Sequence, residues 1–468
     1  MFLQAKAWPT VLARYWGKEF QLRSHQQPIV ENLTEKRDVL ALLPTGEGKT
    51  LCFQLAGLVL GGLTLVVSPL LALIQEQVED LQAKGLPAWQ LSSQLSPEQR
   101  RKLLTALTNT AQAFLYLSPE QLQGAALQTF LAELPPRLLV IDEAHCISQW
   151  GRSFRPAYRE IGSLLSSWKQ RPVLGVFTAT APPQVQADIS QVLGLKAPKL
   201  FQGSVLRDNI AIRIQRCWTP RSKRKALLAG IQGKTLIYAR SRQATEELAQ
   251  ALREKGFPAS FYHAGASLTQ RQAAYQHFRS EPLAVLVATT AFGMGVDIPD
   301  IATVIHWHLP ESLDAYVQEI GRGGRNRKFQ AQALALWLWG EKGGGFNKLE
   351  AELPKRVWQL LGKGLSLIEV QDRLDLSDQS LNTMLLPWLA QGWIQPLAGK
   401  RYRLNAEVLS REMEWAVFRA EKQEQQFLRN QQAAFRRYLK TRRCRREQLE
   451  RYFEVPLQPG CGLCDCCI

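Results

Sequence analysis

Three stretches of this chain place glycine, lysine, hydroxyl, carboxylate and guanidinium groups at spacings that phosphate chemistry needs. The first is PTGEGKT at 44–50, which follows the apolar run VLALL and precedes the apolar helical run LCFQLAGLVL. Gly46 and Gly48 let backbone N–H groups close on phosphate oxygens at a helix N-terminus, Lys49 reaches a β- or γ-phosphate, and Thr50 offers a hydroxyl to Mg2+. Thr45, Gly46, Glu47, Gly48, Lys49 and Thr50 together form the candidate nucleotide-binding loop. A glycine-rich turn opening an ordinary helix has the same composition, and the strict pattern would place glycine where Leu43 stands. The second stretch is LLVIDEAH at 138–145. Its apolar half reads as a buried strand that presents Asp142 to a metal ion, while Glu143 can orient and deprotonate an attacking water; two acids in a solvated loop are the alternative. The third is QEIGRGGR at 318–325, where Arg322 and Arg325, three apart, aim at one neighbourhood and can neutralise charge growing on a γ-phosphate. Gln318, at the head of that segment, is grouped with them as a candidate catalytic residue, and a surface phosphate-contacting patch is the competing reading.

These groups need rigid elements to hold them. Apolar β-type runs alternate with helical patterns from about residue 38 to 340, which predicts parallel sheets covered by helices on both faces. The runs come in two sets, DVLALLP to VLGVFTAT and KTLIYAR to ALALWLW, separated by the aperiodic KAPKLFQGSVLRDNI, so a domain boundary is expected near residue 203. In SRQATEELAQALREKG, Ala244, Leu248 and Leu252 share one face, and Gly256 closes a scaffold helix. EKGGGFNK at 341–348 reads as a hinge. Beyond it, the helical spacing of LSLIEVQDRLDLS, a cap at Ser377 and the alternation of GWIQPLAGKRYRLN predict a winged helix, although Pro387 falls inside its second helix. A small helical packing domain is the alternative. Residues 411–443 form a long polar helical stretch, and Arg436–Arg446 holds seven basic residues and no acidic one. That run is either a DNA grip or a solvated helix face. The expected domains are 1–203, 204–340, 341–410 and 411–468.

Bulk properties narrow the partners. The chain has 468 residues, a formal net charge of +17 and 46% hydrophobic residues. Clustered Lys and Arg favour a polyanion, nucleic acid or a membrane surface. No apolar run is long enough to span a bilayer and the first residues lack the apolar core of a signal peptide, which predicts a soluble intracellular protein, in cytoplasm or nucleoid if bacterial. Eight cysteines in that setting suggest metal, since five crowd into residues 444–468. Cys444, Cys461, Cys464 and Cys467, with Cys466 as a substitute ligand, suit tetrahedral Zn2+; an iron–sulfur cluster is the rival. Cys52, Cys146 and Cys217 have no metal spacing and are assigned no role.

In family order, the motifs PTGEGKT, VVSPLLALIQEQV, LSPEQL, DEAH, TATA, LIYARSR, YHAG, VATTAFGMGVDIPD and QEIGRGGR resemble those of the RecQ family of DNA helicases within helicase superfamily 2, across nearly the whole chain. The resemblance implies an α/β fold class: two tandem RecA-like domains with parallel sheets, then a winged-helix-like module and a small helical zinc-binding domain. It implies ATP, Mg2+ and Zn2+ as cofactors, single-stranded and duplex DNA as partners without a membrane, and ATP-driven 3′ to 5′ translocation that unwinds duplexes in repair or recombination. QLRSHQQPIV looks like the adenine-reading motif, with Gln26 on the base and Arg23 supporting it, although Ser24 and His25 replace the usual Pro-Gly. HCISQWGRSFRPAY looks like the aromatic-rich loop of the family. There Trp150 and Phe154 would stack on unpaired bases, Arg155 would bind phosphate or nucleotide, and His145 and Gln149 would couple DNA to the acids; aromatics that only seal a domain interface are the alternative. Two departures stand out. Residues 341–443 separate the second motor domain from the cysteines, and the chain stops at Ile468, so no further winged helix or helicase-and-RNase-D-like domain is expected. An RNA-directed motor and a binding or annealing protein with little hydrolysis are the competing functions.

Overall fold

The computed structural model describes residues 7–44, 46–69, 71–148, 155–292, 298–326, 329–341, 356–374, 381, 385, 388–389, 394–397, 401–404, 411–457 and 460–468, without the side chains of residues 71, 72, 401, 404 and 411–425. The first apolar set forms a seven-stranded parallel sheet: β1 (Val39–Leu42), β2 (Gly62–Val67), β3 (Ala88–Leu91), β4 (Gln112–Leu117), β5 (Leu138–Ile141), β6 (Val173–Thr178) and β7 (Lys199–Gln202). Their order is β3-β4-β2-β5-β6-β1-β7. Side chains alternate between sheet faces along a strand, so a sheet buried on both faces needs apolar residues at every position. In β1, Leu40 and Leu42 join one core, with Leu65 and Leu139, while Val39 and Ala41 join the other, with Val66 and Val140.

The second set repeats the plan with six parallel strands: β8 (Ile210–Cys217), β9 (Thr235–Tyr238), β10 (Ala259–Tyr262), β11 (Val285–Ala288), β12 (Thr303–His306) and β13 (Ala331–Leu338). The order is β10-β11-β9-β12-β13-β8. Ile237, Val285 and Ile305 pack on one face; Leu236, Leu286 and Val304 pack on the other. The scaffold helix spans Arg242–Arg253, and Gly256 beyond it has φ 83°.

Strands β3, β7 and β8 have no counterpart in the apolar runs of the sequence. All three are edge strands. An edge strand is partly open to solvent, and β7 (exposed at Lys199 and Leu200) and β8 (exposed at Arg213, Gln215 and Arg216) accordingly lack a continuous apolar run.

The chain divides into two compact units, residues 1–341 with 437–468, and residues 342–436. The smaller unit has its own core of Val357, Trp358, Leu361, Val370, Leu381, Leu385, Trp388 and Ile394, with the two indoles edge-to-face at 5.1 Å. It includes the helix Leu367–Leu374 and the antiparallel hairpin of β14 (Ile394–Leu397) and β15 (Arg401–Leu404). Ser377, Pro387 and residues 342–348 of the expected hinge lie outside the described residues. The polar stretch near the C-terminus is the helix Arg411–Lys440, followed by the helix Arg445–Tyr452. No helix among the described residues is long and apolar enough to cross a membrane.

Candidate active site and metal cluster

β1 and β5 deliver the two phosphate-type motifs to the same end of the first sheet, separated there only by β6. Past β1 the chain turns through Gly46 and Gly48, at φ 85° and 78°, a left-handed region that costs glycine little. Gly48 then opens the helix Lys49–Leu60 with no side-chain cap on its first N–H groups. A Cβ at Gly48 would also collide with the Gln26 amide and force it to shift.

The Lys49 ammonium is buried, lies 3.6 Å from Glu143 Oε1, and Nζ has no hydrogen-bond partner among the described residues. Asp142 is 4% exposed and its Oδ1 is likewise without a partner. Its backbone is anchored: Tyr158 donates its hydroxyl to the Asp142 carbonyl at 2.9 Å. Burial pushes the Asp142 carboxyl up to about 6, with Lys49 pulling it down and Glu143 raising it further. Glu143 responds in the opposite direction. Burial raises it, but Lys49, His145 and Arg322 outweigh burial and hold it well below the usual carboxylate range. The Glu143 backbone sits at φ 50°, a left-handed conformation that a non-glycine residue adopts at a cost. His145 Nδ1 lies 3.3 Å from Glu143 Oε2 and 3.1 Å from Thr178 Oγ1, at the end of β6. Burial alone would lower the His145 pKa, yet Cys146 and Glu143 raise it well above the usual value.

The N-terminal motif packs on the phosphate loop. Arg23 donates to Glu47 Oε2 at 2.6 Å and to the Gly46 carbonyl at 3.1 Å. Gln26, 3% exposed, donates Nε2 to the carbonyls of Glu47 (3.1 Å) and Gly48 (3.4 Å), and its Oε1 accepts from Arg23 N at 2.8 Å. His25 Nε2, in the place where proline or glycine was expected, lies 3.2 Å from the Glu47 carbonyl. A cleft of about 160 Å³ opens beside them, lined by His25, Glu47, Gly203, Leu206 and Arg207.

The second sheet contributes the arginines. Gln318 is half-buried on the helix Leu313–Ile320, which ends in the glycine-rich turn 321–324. Arg322 is 5% exposed, its Nε has no hydrogen-bond partner among the described residues, and its charge is felt at Glu143. Arg325 Cγ lies 3.8 Å from where a Gly46 Cβ would stand. Residues as far apart along the chain as Gly46 and Arg325 thus converge on one site. Thr50 is half-buried in the first turn of the helix after the loop. Arg155 immediately precedes the short helix Pro156–Arg159, and its guanidinium stands 3.9 Å from Glu120. Thr45, Gln149, Trp150 and Phe154 lie outside the described residues.

The four cysteines meet as expected from their spacing. The Sγ atoms of Cys444, Cys461, Cys464 and Cys467 all lie within 4.8 Å of one another. Cys464 Sγ also accepts the Arg445 N–H at 3.3 Å, a hydrogen bond that stabilises a thiolate ligand. Cys466 stands apart, with its Sγ near the Thr441 carbonyl at 3.9 Å. Four converging thiols with such a donor fit a tetrahedral metal ion.

The sequence assigned Arg207 no role and placed Arg446 only in the basic run Arg436–Arg446, as a DNA grip or a solvated helix face. Both are buried, and both donate to backbone carbonyls. Arg207 lies in no spaced motif, and the basic run that ends at Arg446 does not say which of its cations is buried.

Comparison with known proteins agrees with this geometry. Residues 23–189 match the DEAD/DEAH box helicase family and residues 222–327 the helicase conserved C-terminal domain. The ATP-dependent DNA helicase RecQ of Synechocystis is 35% identical over 98% of this chain and 97% of its own length. The probable ATP-dependent DNA helicase RecS of Bacillus subtilis is 42% identical over 65% of this chain and 62% of its own length. RecQ of Pasteurella multocida is 36% identical, and the match spans 48% of that protein. Among solved structures, the DUF1998 helicase MrfA bound to DNA superposes with a TM-score of 0.58 at 19% identity over 87% of this chain and 60% of its own. Yeast Dbp5 bound to RNA and ADP BeF3 superposes with 0.54 at 18% identity over 70% and 87%. Those two likenesses carry the two-sheet fold of a helicase motor. The near full-length match to the Synechocystis protein, together with the ordered motifs and their convergence, places this chain in the RecQ family of ATP-dependent DNA helicases.

Proposed function

We propose that this chain hydrolyses ATP to move 3′ to 5′ along single-stranded DNA and to part duplex DNA during repair or recombination. The observation that carries the reading is the meeting of Lys49, Asp142 and Glu143 from one sheet with Arg322 and Arg325 from the other. Lys49 and the uncapped helix N-terminus bind the triphosphate, Thr50 and Asp142 hold Mg2+, and Glu143 takes the proton of the attacking water. Magnesium supplies Lewis-acid charge at the phosphate oxygens. Arg322 and Arg325 stabilise the charge that develops in the transition state, with Gln318 beside them. Arg23 and Gln26 read the base. In this proposal Trp150 and Phe154 stack on unpaired bases, Arg155 meets phosphate, and His145 and Gln149 relay DNA occupancy to Glu143.

The four-cysteine cluster holds Zn2+ and ties the helix Arg445–Tyr452 to the chain end. The domains run 1–203, 204–340, 341–410 and 411–468, the third a winged helix, and the protein works inside the cell. Support for the winged helix is the small core with its helix and hairpin.

The test is ATPase rate without nucleic acid, with single-stranded DNA and with single-stranded RNA, in the wild type and in Trp150→Ala. Strong stimulation by DNA, abolished by the substitution while ATP binding survives, is the expected result. Equal stimulation by RNA overturns the DNA assignment; no stimulation by either leaves a binding or annealing protein.

A further inference from the structure

Burial splits the basic run Arg436–Arg446. Arg436, Arg437, Lys440, Arg442 and Arg443 are exposed, whereas Arg445 and Arg446 are buried, at 5% and 4% exposure. Burying a guanidinium is expensive unless its N–H groups find acceptors. Arg446 finds them on the backbone: Nη1 donates to the Leu206 carbonyl at 2.9 Å and Nη2 to the Arg207 carbonyl at 2.8 Å. Its nearest carboxylate, Asp208 at 3.6 Å, has a side chain 88% exposed, so that ion pair contributes little.

Arg207 repeats the device. Its Nε donates to the Gly324 carbonyl at 3.1 Å, and its Nη2 to the carbonyls of Gly321 and Gly323. Those three glycines form the turn that carries Arg322 and Arg325. A turn of glycines has no side chains to lock it and loses the most conformational freedom when ordered. The Arg207 fork anchors it at three carbonyls, beside Asn209 Nδ2 on the Gly324 carbonyl at 2.9 Å, and Arg207 Nη1 lies 3.4 Å from where a Gly46 Cβ would stand.

We infer that Arg446 is a positioning residue for ATP hydrolysis: from the helix beside the cysteine cluster it fixes the Leu206–Arg207 backbone, and through the Arg207 guanidinium it fixes the turn that holds Arg322 and Arg325 against the phosphate loop. The inference rests on the reading that those two arginines act on the γ-phosphate. The same C-terminal segment makes contacts that do not reach the turn, Tyr452 to Asp314 Oδ2 at 3.1 Å and Gln202 to the Phe453 carbonyl at 2.7 Å. These give a control for a brace that acts only through stability.

The experiment is steady-state ATPase on the full chain with saturating single-stranded DNA, alongside thermal melting, for Arg446→Met, Arg446→Lys, Tyr452→Phe, Arg325→Ala and the double variant Arg446→Met/Arg325→Ala. Displacing a catalytic group by about 1 Å costs on the order of 100-fold; Arg446→Met is expected to lower kcat by ~10–100-fold while KM for ATP stays within about threefold. Arg446→Lys, which keeps the charge and part of the hydrogen bonding, falls between; it decides the matter if the Met variant does not fold. Tyr452→Phe keeps wild-type kcat. Groups that act as one unit lose less together than the sum of their separate losses, so the double variant, in which only Arg322 is left to be displaced, is expected to lose clearly less than the product of the two single losses. Additive losses, or a rise in KM with kcat intact, overturn the relay. Arg446→Met at wild-type rate with Arg325→Ala slow sinks the relay alone, whereas Arg325→Ala at wild-type rate sinks the arginine reading beneath it.

Discussion

In the second sheet, the helices after β8, β9, β10 and β12 all begin under a hydroxyl: Thr219, Ser241, Ser267 and Ser312 each accept the N–H three residues on. In the first sheet, the helix after β1 begins at Gly48 with no such cap. The buried charges differ in the same sense. In the second sheet Lys223 meets Glu341 at 2.7 Å, Lys234 meets Asp300 at 2.8 Å and His306 meets Glu319 at 2.9 Å. In the first, Lys49 Nζ and Asp142 Oδ1 have no hydrogen-bond partner among the described residues. Two sheets of one design have thus been finished differently. At these positions the second sheet pairs its buried cations with acids and lends arginines, while the first leaves Lys49 Nζ and Asp142 Oδ1 for a phosphate and a metal ion to complete.

If that asymmetry is functional, its largest signature is catalytic. Arg325→Ala or Arg322→Ala should lower DNA-stimulated kcat on the order of 10³-fold with ATP affinity nearly kept, as read by single-turnover hydrolysis and nucleotide titration. Glu143→Gln should cost about 10²-fold or more and should trap ATP on the protein, since it removes the base and leaves Lys49 in place. Equal loss of ATP binding in that variant would show that Glu143 holds the loop rather than the water.

The pH dependence sharpens the contrast within the acid pair. Asp142, raised to about 6 by burial, is protonated below that pH and ionised above it, while Glu143, held low chiefly by Lys49 against burial, stays ionised. ATPase at limiting Mg2+ should therefore rise through about pH 6, falling roughly tenfold per unit below it, and more Mg2+ should move the midpoint down. A raised carboxyl favours the folded state most at low pH, so the Asp142 contribution to stability fades as pH rises through about 6.

The comparison can also be broken by exchange. Gly48→Ser imports the capping hydroxyl of the second sheet into the first. At φ 78°, and against the Gln26 amide, it should weaken ATP binding by about tenfold or more, measured by titration of a fluorescent ATP analogue. The smallest effect belongs to the scaffold: Ser267→Ala should cost ~1 kcal/mol of stability in denaturant and leave kcat unchanged. A change in kcat there would mean that the second sheet is less inert than its caps imply.

Local pattern determined a great deal about this protein. PTGEGKT after an apolar strand, two acids at the end of another, ordered helicase motifs and a C-terminal cysteine set are readable because backbone conformation, strand burial and metal-ligand type act over a few residues. The central strands were legible for the same reason, since double burial demands an uninterrupted apolar run, while the edge strands β3, β7 and β8 were not. Tertiary structure alone decided the rest. It chose which two of seven adjacent cations are buried, it put the Gln26 amide on the Glu47 and Gly48 carbonyls, and it brought Arg446, Arg207 and the turn 321–324 into one chain of hydrogen bonds. A backbone carbonyl accepts a hydrogen bond whatever its side chain, so a guanidinium that binds carbonyls far along the chain leaves no spacing and no partner residue to read; only the fold says where it goes.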